Sequence, residues 1–379
     1  MKLKHHIKIN SSQSELSQSI VYFALFVFVF ALMAILQPRR FLGRTNIEQL
    51  AFQIPEFGIL ALGMMVAMIS GGIDLSIITT ANLSGITSAI VLLSLSHRGT
   101  MDLGALLKGI MADDSTRRAL EAAMPTGITM LGIIVLTVLV ALAVGLLCGL
   151  LNGILVAKVK IPPILATLGT MRLYEGIALV ITKGSPLTGF PDEFIFLGAG
   201  SILGLPTPML IFLLAIAAVA LLMKRTPLGK GIYAVGENPL AARYSGLDNS
   251  KILMKTYAIT GLLSGLAALI MMARVDSIKV GYGSSFQLQA ILVVILGGVS
   301  TIGGTGNIVG VVFSVLILRV IASGFNIMGF SNYMRNVIWG ALLVIVAIVI
   351  SSGFNIFTKL GSNKQKQKHI QEQGERHED

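Results

Sequence analysis

Long apolar runs without a charged residue constrain the fold of this chain more than any other feature. A helix needs about 20 mostly apolar residues to cross the hydrocarbon core of a bilayer. Apolar runs recur along the whole chain, at residues 20–36, 128–157, 211–223, 308–318 and 337–350. Only 12% of the 379 residues are charged, about half the share in soluble domains, so the chain cannot cover a water-facing surface. The sequence therefore predicts an all-α polytopic membrane protein.

About ten transmembrane helices can be placed on the hydropathy pattern. The candidate spans are residues 19–37, 51–70, 75–96, 126–157, 164–183, 206–223, 256–273, 287–302, 307–323 and 335–353. The second span contains Gln53, Pro55 and Glu56, and the short eighth and ninth spans meet at Gly303-Gly304-Thr305-Gly306. Interrupted segments occur in membranes where protein or a water-filled cavity covers the backbone. We therefore expect short re-entrant or broken segments at these places.

The placement of lysine and arginine predicts the orientation of the chain. With both termini inside, the inner segments hold more basic residues than the outer ones, as cytoplasmic segments do. This predicts a transmembrane domain at 19–353 between cytoplasmic tails at 1–18 and 354–379. It also predicts an outer polar insertion at 97–125 and a cytoplasmic loop at 224–255. The same bias explains the net charge of +11, so nucleic acid is not an expected partner.

Two similar segments suggest an internal repeat. Gly71-Gly72-Ile73-Asp74 precedes Asn82, and Gly297-Gly298-Val299-Ser300 precedes Asn307 at a comparable distance. By the span order both segments turn back at the inner side, so the two copies would be parallel, which is one known plan for transporters. The alternative is a chance likeness between glycine-rich apolar segments.

Small residues spaced four apart predict close helix packing. Gly145, Gly149 and Gly153 share one face of the fourth span, and Gly261 and Gly265 share one face of the seventh. In lipid, such residues let two helix backbones approach each other. We interpret these glycines as packing positions rather than as a binding site.

Polar residues at membrane depth are the candidates for a substrate pathway. A carboxylate there needs a partner, a water cavity or a helix N-terminus. Asp74 fits the N-cap of the third span or the substrate path, and Glu175 fits a pair with Arg172, three residues earlier. The candidate pathway residues are Asp74, Ser76, Asn82, Thr167, Thr170, Glu175, Ser300 and Asn307.

The loop at 224–255 has the sequence pattern of a short capped helix. Asn238 suits the N-cap, Pro239 the first helical position and Gly246 the position after the helix end. A rigid helix in an inner loop fits either docking on a cytoplasmic protein or a surface connector. The sequence contains no nucleotide-binding loop, metal-ligand cluster or catalytic constellation, so no catalytic or metal-binding residues are assigned.

Five stretches, taken in order along the chain, resemble one known family. They are Gly72-Ile73-Asp74-Leu75-Ser76, Gly149-Leu150-Leu151-Asn152-Gly153, the segment 162–171, the loop 226–248, and Gly297-Gly298-Val299-Ser300 with Gly303-Gly304. The chain is similar to permease subunits of bacterial ATP-binding-cassette importers for simple sugars, of the ribose, galactose or xylose type. The resemblance covers most of the chain, from about residue 50 to residue 350.

The resemblance implies roles for several residues and partners. Segment 236–246 looks like the helix that couples the permease to a cytoplasmic ATP-binding subunit, with these residues in contact: Gly236, Glu237, Asn238, Pro239, Ala242, Arg243 and Gly246. ATP and Mg would bind that partner subunit, and this chain would carry no cofactor and no enzymatic activity. An extracytoplasmic sugar-binding protein would deliver the substrate. A second permease subunit, identical or a sister chain, would complete the pathway in the bacterial inner membrane.

Other classes remain open at this point. An ion-coupled secondary transporter of a small polar solute would use intramembrane carboxylates such as Asp74 and Glu175. Nucleoside permeases share the general plan of the family but lack the Gly-Ile-Asp-Leu-Ser stretch. A membrane enzyme is disfavoured because no catalytic group of residues converges. The polar segment 97–124 is longer than in most simple-sugar permeases, so the sequence does not identify a particular sugar.

Overall fold

The computed structural model describes residues 2–96 and 130–351, and this part of the chain is almost entirely helical. The helices are α1 Lys2–Leu36, α2 Pro38–Phe41, α3 Arg44–Ile69, α4 Ile77–Ser96, α5 Met130–Ala157, α6 Pro163–Thr182, α7 Asp192–Ala199, α8 Thr207–Arg225, α9 Pro227–Glu237, α10 Pro239–Tyr244, α11 Asn249–Val275, α12 Phe286–Leu296, α13 Ile308–Ile327 and α14 Asn332–Ser351. The predicted insertion at 97–125 and tail at 354–379 lie outside the described residues.

Ten of these helices match the ten predicted spans. Eight are long and apolar enough to cross a membrane, namely α3, α4, α5, α6, α8, α11, α13 and the part of α1 from Ser19. Two shorter apolar helices, α12 and α14, account for the eighth and tenth spans. The predicted fold class, an all-α polytopic membrane protein, is therefore confirmed. Helix α1 begins 17 residues before its predicted span, and α3 and α11 each begin seven residues before theirs.

Helix α3 forms the centre of the fold. From Ile54 to Ile69 every residue is buried, and the helix packs against α4, α8, α11, α12 and α13. It continues through Pro55 without a break, so the expectation of an interrupted second span is wrong. Proline costs a helix one hydrogen bond, and this loss is tolerated in membranes where neighbouring helices cover the backbone, as they do here.

The glycines of α5 and α11 lie where the backbones of these two helices are in contact. A side chain at Gly145 would overlap the carbonyl oxygen of Gly261, and one at Gly149 would overlap that of Tyr257. One at Gly265 would similarly meet the backbone of α5. With no side chains between them, the two backbones touch and dispersion contacts hold the helices together.

The two repeat segments form the same turn. After α3 and after α12 the chain closes with Gly71 and Gly298 in the left-handed region, at φ +86° and +82°. The next N–H group bonds back to the residue five positions earlier at 3.1 Å in both turns, which is the Schellman arrangement. Gly71 therefore corresponds to Gly298, and the predicted match of Gly71 with Gly297 is wrong by one residue.

The structure also corrects the pairing of the two repeat asparagines. Asn307 is the N-cap of α13, whereas Asn82 lies inside α4. Asp74 takes the place corresponding to Asn307, since each accepts a hydrogen bond from the N–H two residues later. The two turns touch, with the Gly304 N–H donating to the Ile69 carbonyl at 2.9 Å, so both copies turn back at the same membrane side.

That side, which also carries α9 and α10, is called the α10 side below. The opposite side carries α7 and two small antiparallel ribbons. Strand β1 (Leu187–Thr188) pairs with β4 (Ser277–Ile278), and β2 (Ser201–Ile202) pairs with β3 (Leu205–Pro206). The β1–β4 ribbon joins the segments that follow α6 and α11, and the β2–β3 ribbon lies between α7 and α8, so the two membrane sides differ in architecture.

Candidate functional site

Helix α10 is fixed by local capping and presents its side chains to solvent, except for the predicted contact residue Ala242, which is buried. The Asn238 side chain accepts hydrogen bonds from the N–H groups of Leu240 and Ala241, at 3.0 Å each. Gly246, at φ +84°, ends the helix, as its position in the sequence predicts. Leu240 and Tyr244 are 62% and 84% exposed. Two large exposed side chains with apolar surface beside the exposed Arg243 are typical of a docking surface.

The end of α9, just before α10, packs closely against both repeat turns. Gly236 and Glu237 belong to the end of α9, not to α10 as the sequence suggested. A side chain at Gly236 would overlap the Ile69 carbonyl, and its Cβ would lie 2.6 Å from the Gly304 nitrogen. The Tyr233 hydroxyl adds a 3.0 Å hydrogen bond to the Gly306 carbonyl. Any displacement of α10 therefore acts directly on the ends of α3 and α12.

The hydrogen bond of Asp248 fixes the other end of this segment. Asp248 is the N-cap of α11 and accepts the Lys251 N–H at 3.1 Å. This bond holds the pKa of Asp248 below its usual range, because it stabilises the charged carboxylate. The α10 segment is thus capped at both ends, so it behaves as a rigid unit rather than as a loose connector.

Asp74 anchors a buried hydrogen-bond network next to the first repeat turn. Its Oδ1 accepts from the Ser76 hydroxyl at 2.7 Å and the Ser76 N–H at 3.0 Å. Its Oδ2 accepts from the Thr260 hydroxyl of α11 at 2.9 Å. Asp74 is 2% exposed and Ser76 and Thr260 are fully buried. Because both carboxyl oxygens are occupied, this geometry stabilises the turn and leaves no open position for a substrate.

The network continues into α5 and α6. The Asn152 amide donates to the Ser76 hydroxyl at 2.7 Å, and the Thr170 hydroxyl donates to Asn152 at 2.6 Å. Thr167 bonds the backbone of the turn at Ile73 and Leu75. The predicted pathway residues Asp74, Ser76, Thr167 and Thr170 therefore do lie together, but inside a paired network that joins four parts of the fold.

The other predicted pathway residues lie apart from this network. Glu175 pairs with Arg172 at 2.8 Å on a face of α6 that no other described part of the chain covers. Ser300 accepts the N–H of Ile302 within the second repeat turn. Asn82 is buried in α4, and its Oδ1 has no hydrogen-bond partner among the described residues. The eight residues therefore do not converge on one binding site.

A polar cavity lies on the opposite side of the membrane from α10. Its volume is about 430 Å³, and it lies between α3, α11, α12, α13 and α14. Its lining is mostly polar and comprises Gln53, Glu56, Arg274, Ser284, Ser285, Phe286, Gln289, Arg319, Ala322, Asn326, Arg335, Asn336 and Trp339. Glu56 is about 20 Å along α3 from the first repeat turn, at 1.5 Å per residue.

An ion pair forms one wall of this cavity. Arg274 donates from Nε and Nη2 to the two carboxylate oxygens of Glu56, at 3.0 Å each. Nη2 also donates to the Tyr282 hydroxyl at 2.9 Å. Burial raises the pKa of Tyr282, in the segment between α11 and α12, to about 12. The phenol therefore stays neutral, and both carboxylate oxygens of Glu56 are held in hydrogen bonds.

Arg319 forms the facing wall. Its guanidinium carbon lies 4.3 Å from the Phe57 ring centroid and 4.6 Å from that of Phe286, which is cation–π geometry. Arg319 is 6% exposed, and its Nε and Nη2 have no hydrogen-bond partner among the described residues. The two rings hold the guanidinium in place while its hydrogen-bonding edge stays unused.

The sequence alone does not predict this cavity. Glu56 is an interruption of the second predicted span, and Arg319 is a charge inside the ninth, at 307–323. Charged residues within apolar helices are functional candidates by default, and that signal was present at both positions. What the sequence lacks is their mutual placement, because Glu56 and Arg274 are 218 residues apart in the chain.

Comparisons with known proteins agree with this architecture. A family model described as "Branched-chain amino acid transport system / permease component" matches residues 46–347. The ribose import permease protein RbsC of Bacillus subtilis is 33% identical over 331 residues, covering 86% of this chain and 91% of the relative. The autoinducer 2 import system permease protein LsrD of Yersinia enterocolitica is 33% identical over 312 residues, covering 80% and 83%.

The RbsC protein of Escherichia coli K12 is 32% identical over 333 residues, covering 87% of this chain and 92% of the relative. No solved structure matches the chain. The family model spans the helices from α3 through most of α14, which include the glycine turns, the α9–α10 segment and the polar cavity. The chain therefore belongs to this family of transport-system permeases.

Proposed function

We propose that the chain is the membrane-spanning subunit of an ATP-driven importer for a monosaccharide. The support is that its relatives carry the names of ribose and autoinducer 2 import permeases. ATP and Mg then bind a separate cytoplasmic subunit, and this chain contributes no catalysis. An extracytoplasmic binding protein delivers the sugar to the side opposite α10. The α10 side is accordingly cytoplasmic, which places both termini on the cytoplasmic side of the bacterial inner membrane.

The single observation that carries this proposal is the position of α9 and α10. Leu240, Arg243 and Tyr244 project from α10 into solvent, where an ATP-binding subunit can hold them. Gly236, near the end of α9, packs between the Ile69 carbonyl and the Gly304 nitrogen. Movement of the ATP-binding subunit is therefore transmitted through backbone contact to both repeat turns, without a flexible side chain in between.

The exposed face of α6 supports a second permease subunit. This face carries Leu165, Gly169, Arg172, Gly176 and Leu179 at heptad spacing. Both glycines have open space where a side chain would lie. Arg172, near the middle of α6, has a 72% exposed side chain, and a charge facing lipid at that depth costs about 2.5–3.5 kcal/mol. We infer that a second copy, or a sister permease, covers this face.

Uptake into reconstituted vesicles tests the proposal. The vesicles contain this chain, its ATP-binding subunit and its sugar-binding protein, and they are offered labelled ribose, galactose and xylose. We expect uptake of one sugar to need internal ATP and the binding protein, and to resist ionophores. Uptake that collapses with ionophores and ignores ATP would instead indicate the ion-coupled class.

Two variants test the coupling role. We expect Gly236→Ala to abolish uptake and sugar-stimulated ATP hydrolysis, because the added methyl overlaps the Ile69 carbonyl. The matched control is Gly340→Ala, whose added methyl meets open space. Arg243→Glu changes an exposed side chain and should have the same effect without any folding cost, whereas Lys158→Glu, exposed on the same side, should not. Normal transport in both Gly236→Ala and Arg243→Glu contradicts the proposal.

A further inference from the structure

Two arginines in the polar cavity use the same edge of the guanidinium differently. Arg274 donates from Nε and Nη2 to the Glu56 carboxylate. Arg319 leaves the same two atoms, Nε and Nη2, unpaired within the described residues. This edge presents two parallel N–H groups that match two oxygens of one carboxylate or phosphate. In the same cavity, the Arg274–Glu56 pair shows that a carboxylate fits this edge of a guanidinium.

The charges around the cavity favour an anion at Arg319. Three arginines line it, Arg274, Arg319 and Arg335, and Glu56 is the single acidic residue among the lining residues that the structure describes. Glu56 is already held by Arg274. A buried cation without a counter-charge is costly at low dielectric, and Arg319 is 6% exposed. Glu56 attracts Arg319 through space but uses both carboxylate oxygens on Arg274, so a bound anionic group supplies the counter-charge in direct contact.

The rest of the lining favours a small hydroxylated molecule around that anionic group. Gln53, Gln289, Ser284 and Asn336 offer amide and hydroxyl groups to the cavity, and these groups hydrogen-bond sugar hydroxyls as donors or acceptors. Trp339 supplies an apolar surface on the same wall. A volume of about 430 Å³ lies within the range of pockets that hold small ligands. A fatty acyl chain would find little apolar lining here.

We propose that this cavity binds an acidic sugar, and that Arg319 receives its carboxylate or phosphate. The inference rests on the proposed function and narrows the substrate class of the importer from a monosaccharide to one bearing an anionic group. The cavity lies on the side where the binding protein delivers the substrate, so the acidic sugar meets Arg319 before it passes the repeat turns.

The protein contains its own reporter for this site. Trp339 is the single tryptophan of the sequence, and it lines the cavity. The full-length chain in phosphatidylcholine nanodiscs can be titrated with D-galacturonate against D-galactose, and with ribose 5-phosphate against ribose. Each pair differs by one anionic group. We expect a saturable change in Trp339 emission with at least one acid, and an apparent affinity at least tenfold weaker for its neutral partner.

Variants assign that response to Arg319. Arg319→Gln should weaken binding of the acid at least tenfold and leave the weak neutral response unchanged. Arg39→Gln, an exposed arginine on α2, is the matched control and should bind as the unchanged protein does. If Arg319→Gln does not fold, the comparison of acid with neutral sugar in the unchanged protein still decides the question.

Three outcomes overturn the inference. They are equal affinity for the acidic and neutral members of both pairs, no saturable response to either acid, and full retention of acid binding in Arg319→Gln. A fourth arm uses phosphatidylglycerol nanodiscs: if this lipid alone produces the emission change and the acids do not displace it, the cavity holds a lipid headgroup and the inference fails. ATP-dependent uptake of a neutral sugar would leave the proposed importer intact while removing the acidic substrate.

Discussion

The Asp74 network and the Arg319 cavity are both polar and both buried among apolar helices, yet they differ in how completely their groups are paired. Both carboxyl oxygens of Asp74 accept hydrogen bonds from Ser76 and Thr260. Arg319 has two donor atoms with no acceptor among the described residues. A paired polar cluster stabilises the fold that contains it, whereas an unpaired one lowers stability and gains from a ligand. The first is therefore structural and the second is a binding site.

The largest expected effect breaks the paired cluster. Asp74→Ala leaves the Ser76 hydroxyl and the Ser76 N–H without their acceptor in a dry interior, at about 1–3 kcal/mol for each orphaned group. We expect a loss of about 3–5 kcal/mol in the free energy of unfolding, measured as a lower midpoint of thermal unfolding in detergent.

Asp74→Asn is the matched control for that experiment. Its amide oxygen still accepts one of these hydrogen bonds, so it should lose about half as much stability. An Asp74→Ala protein that unfolds at the same temperature as the unchanged protein would show that the network is not a stabilising element, and the contrast with Arg319 would disappear.

A smaller effect is expected at the Glu56–Arg274 pair, which is paired like the Asp74 network but lies in the same cavity as Arg319. Glu56→Gln removes one partner of a buried ion pair but keeps an acceptor, so we expect stability to fall by about 2–3 kcal/mol. The same change removes the negative charge from the cavity. Binding of D-galacturonate should then become tighter, because repulsion between the acid and Glu56 is lost.

Thermal unfolding and Trp339 emission measure these two effects separately. Glu48→Gln is the control, since Glu48 pairs with Arg44 on the exposed surface of α3 and should change neither quantity. Weaker binding of the acid in Glu56→Gln would show that Glu56 holds the ligand directly. The Glu56–Arg274 pair would then belong to the binding site and not to a purely structural wall.

The contrast between the regions also explains what the sequence predicted. Elements fixed by neighbouring residues were predicted well: Asn238 and Gly246 cap α10 through bonds within a few residues, and the glycines of α5 and α11 follow a local spacing. The apolar runs located ten helices because each must satisfy its own backbone in lipid.

Features fixed by distant parts of the chain were missed. The Thr260–Asp74 bond joins residues 186 positions apart, and the Arg274–Glu56 pair joins residues 218 apart. The repeat register was also wrong by one residue, because adjacent glycines are interchangeable in sequence while only one takes the left-handed conformation in each turn. Packing between helices determines these contacts and this register, so no local sequence pattern predicts them.

The smallest expected effect has the opposite sign and tests the comparison most directly. Arg319→Met keeps a long side chain between Phe57 and Phe286 but removes the unpaired charge, so the desolvation cost disappears while most of the packing against the rings stays. Lost cation–π attraction offsets part of this gain. We expect the free energy of unfolding of the empty protein to rise by about 1 kcal/mol, measured as a higher unfolding midpoint in detergent.

The same substitution should abolish the response of Trp339 to acidic sugars, since a thioether cannot donate to a carboxylate. Leu316→Met, also on α13, is the control and should leave both quantities near their original values. Residues that lower stability in favour of function are expected at binding sites. A gain in the free energy of unfolding together with a loss of acid binding in Arg319→Met would identify Arg319 as such a residue. A destabilisation of Arg319→Met as large as that of Asp74→Ala would mean that Arg319 is paired in the folded protein, and both clusters would then be structural.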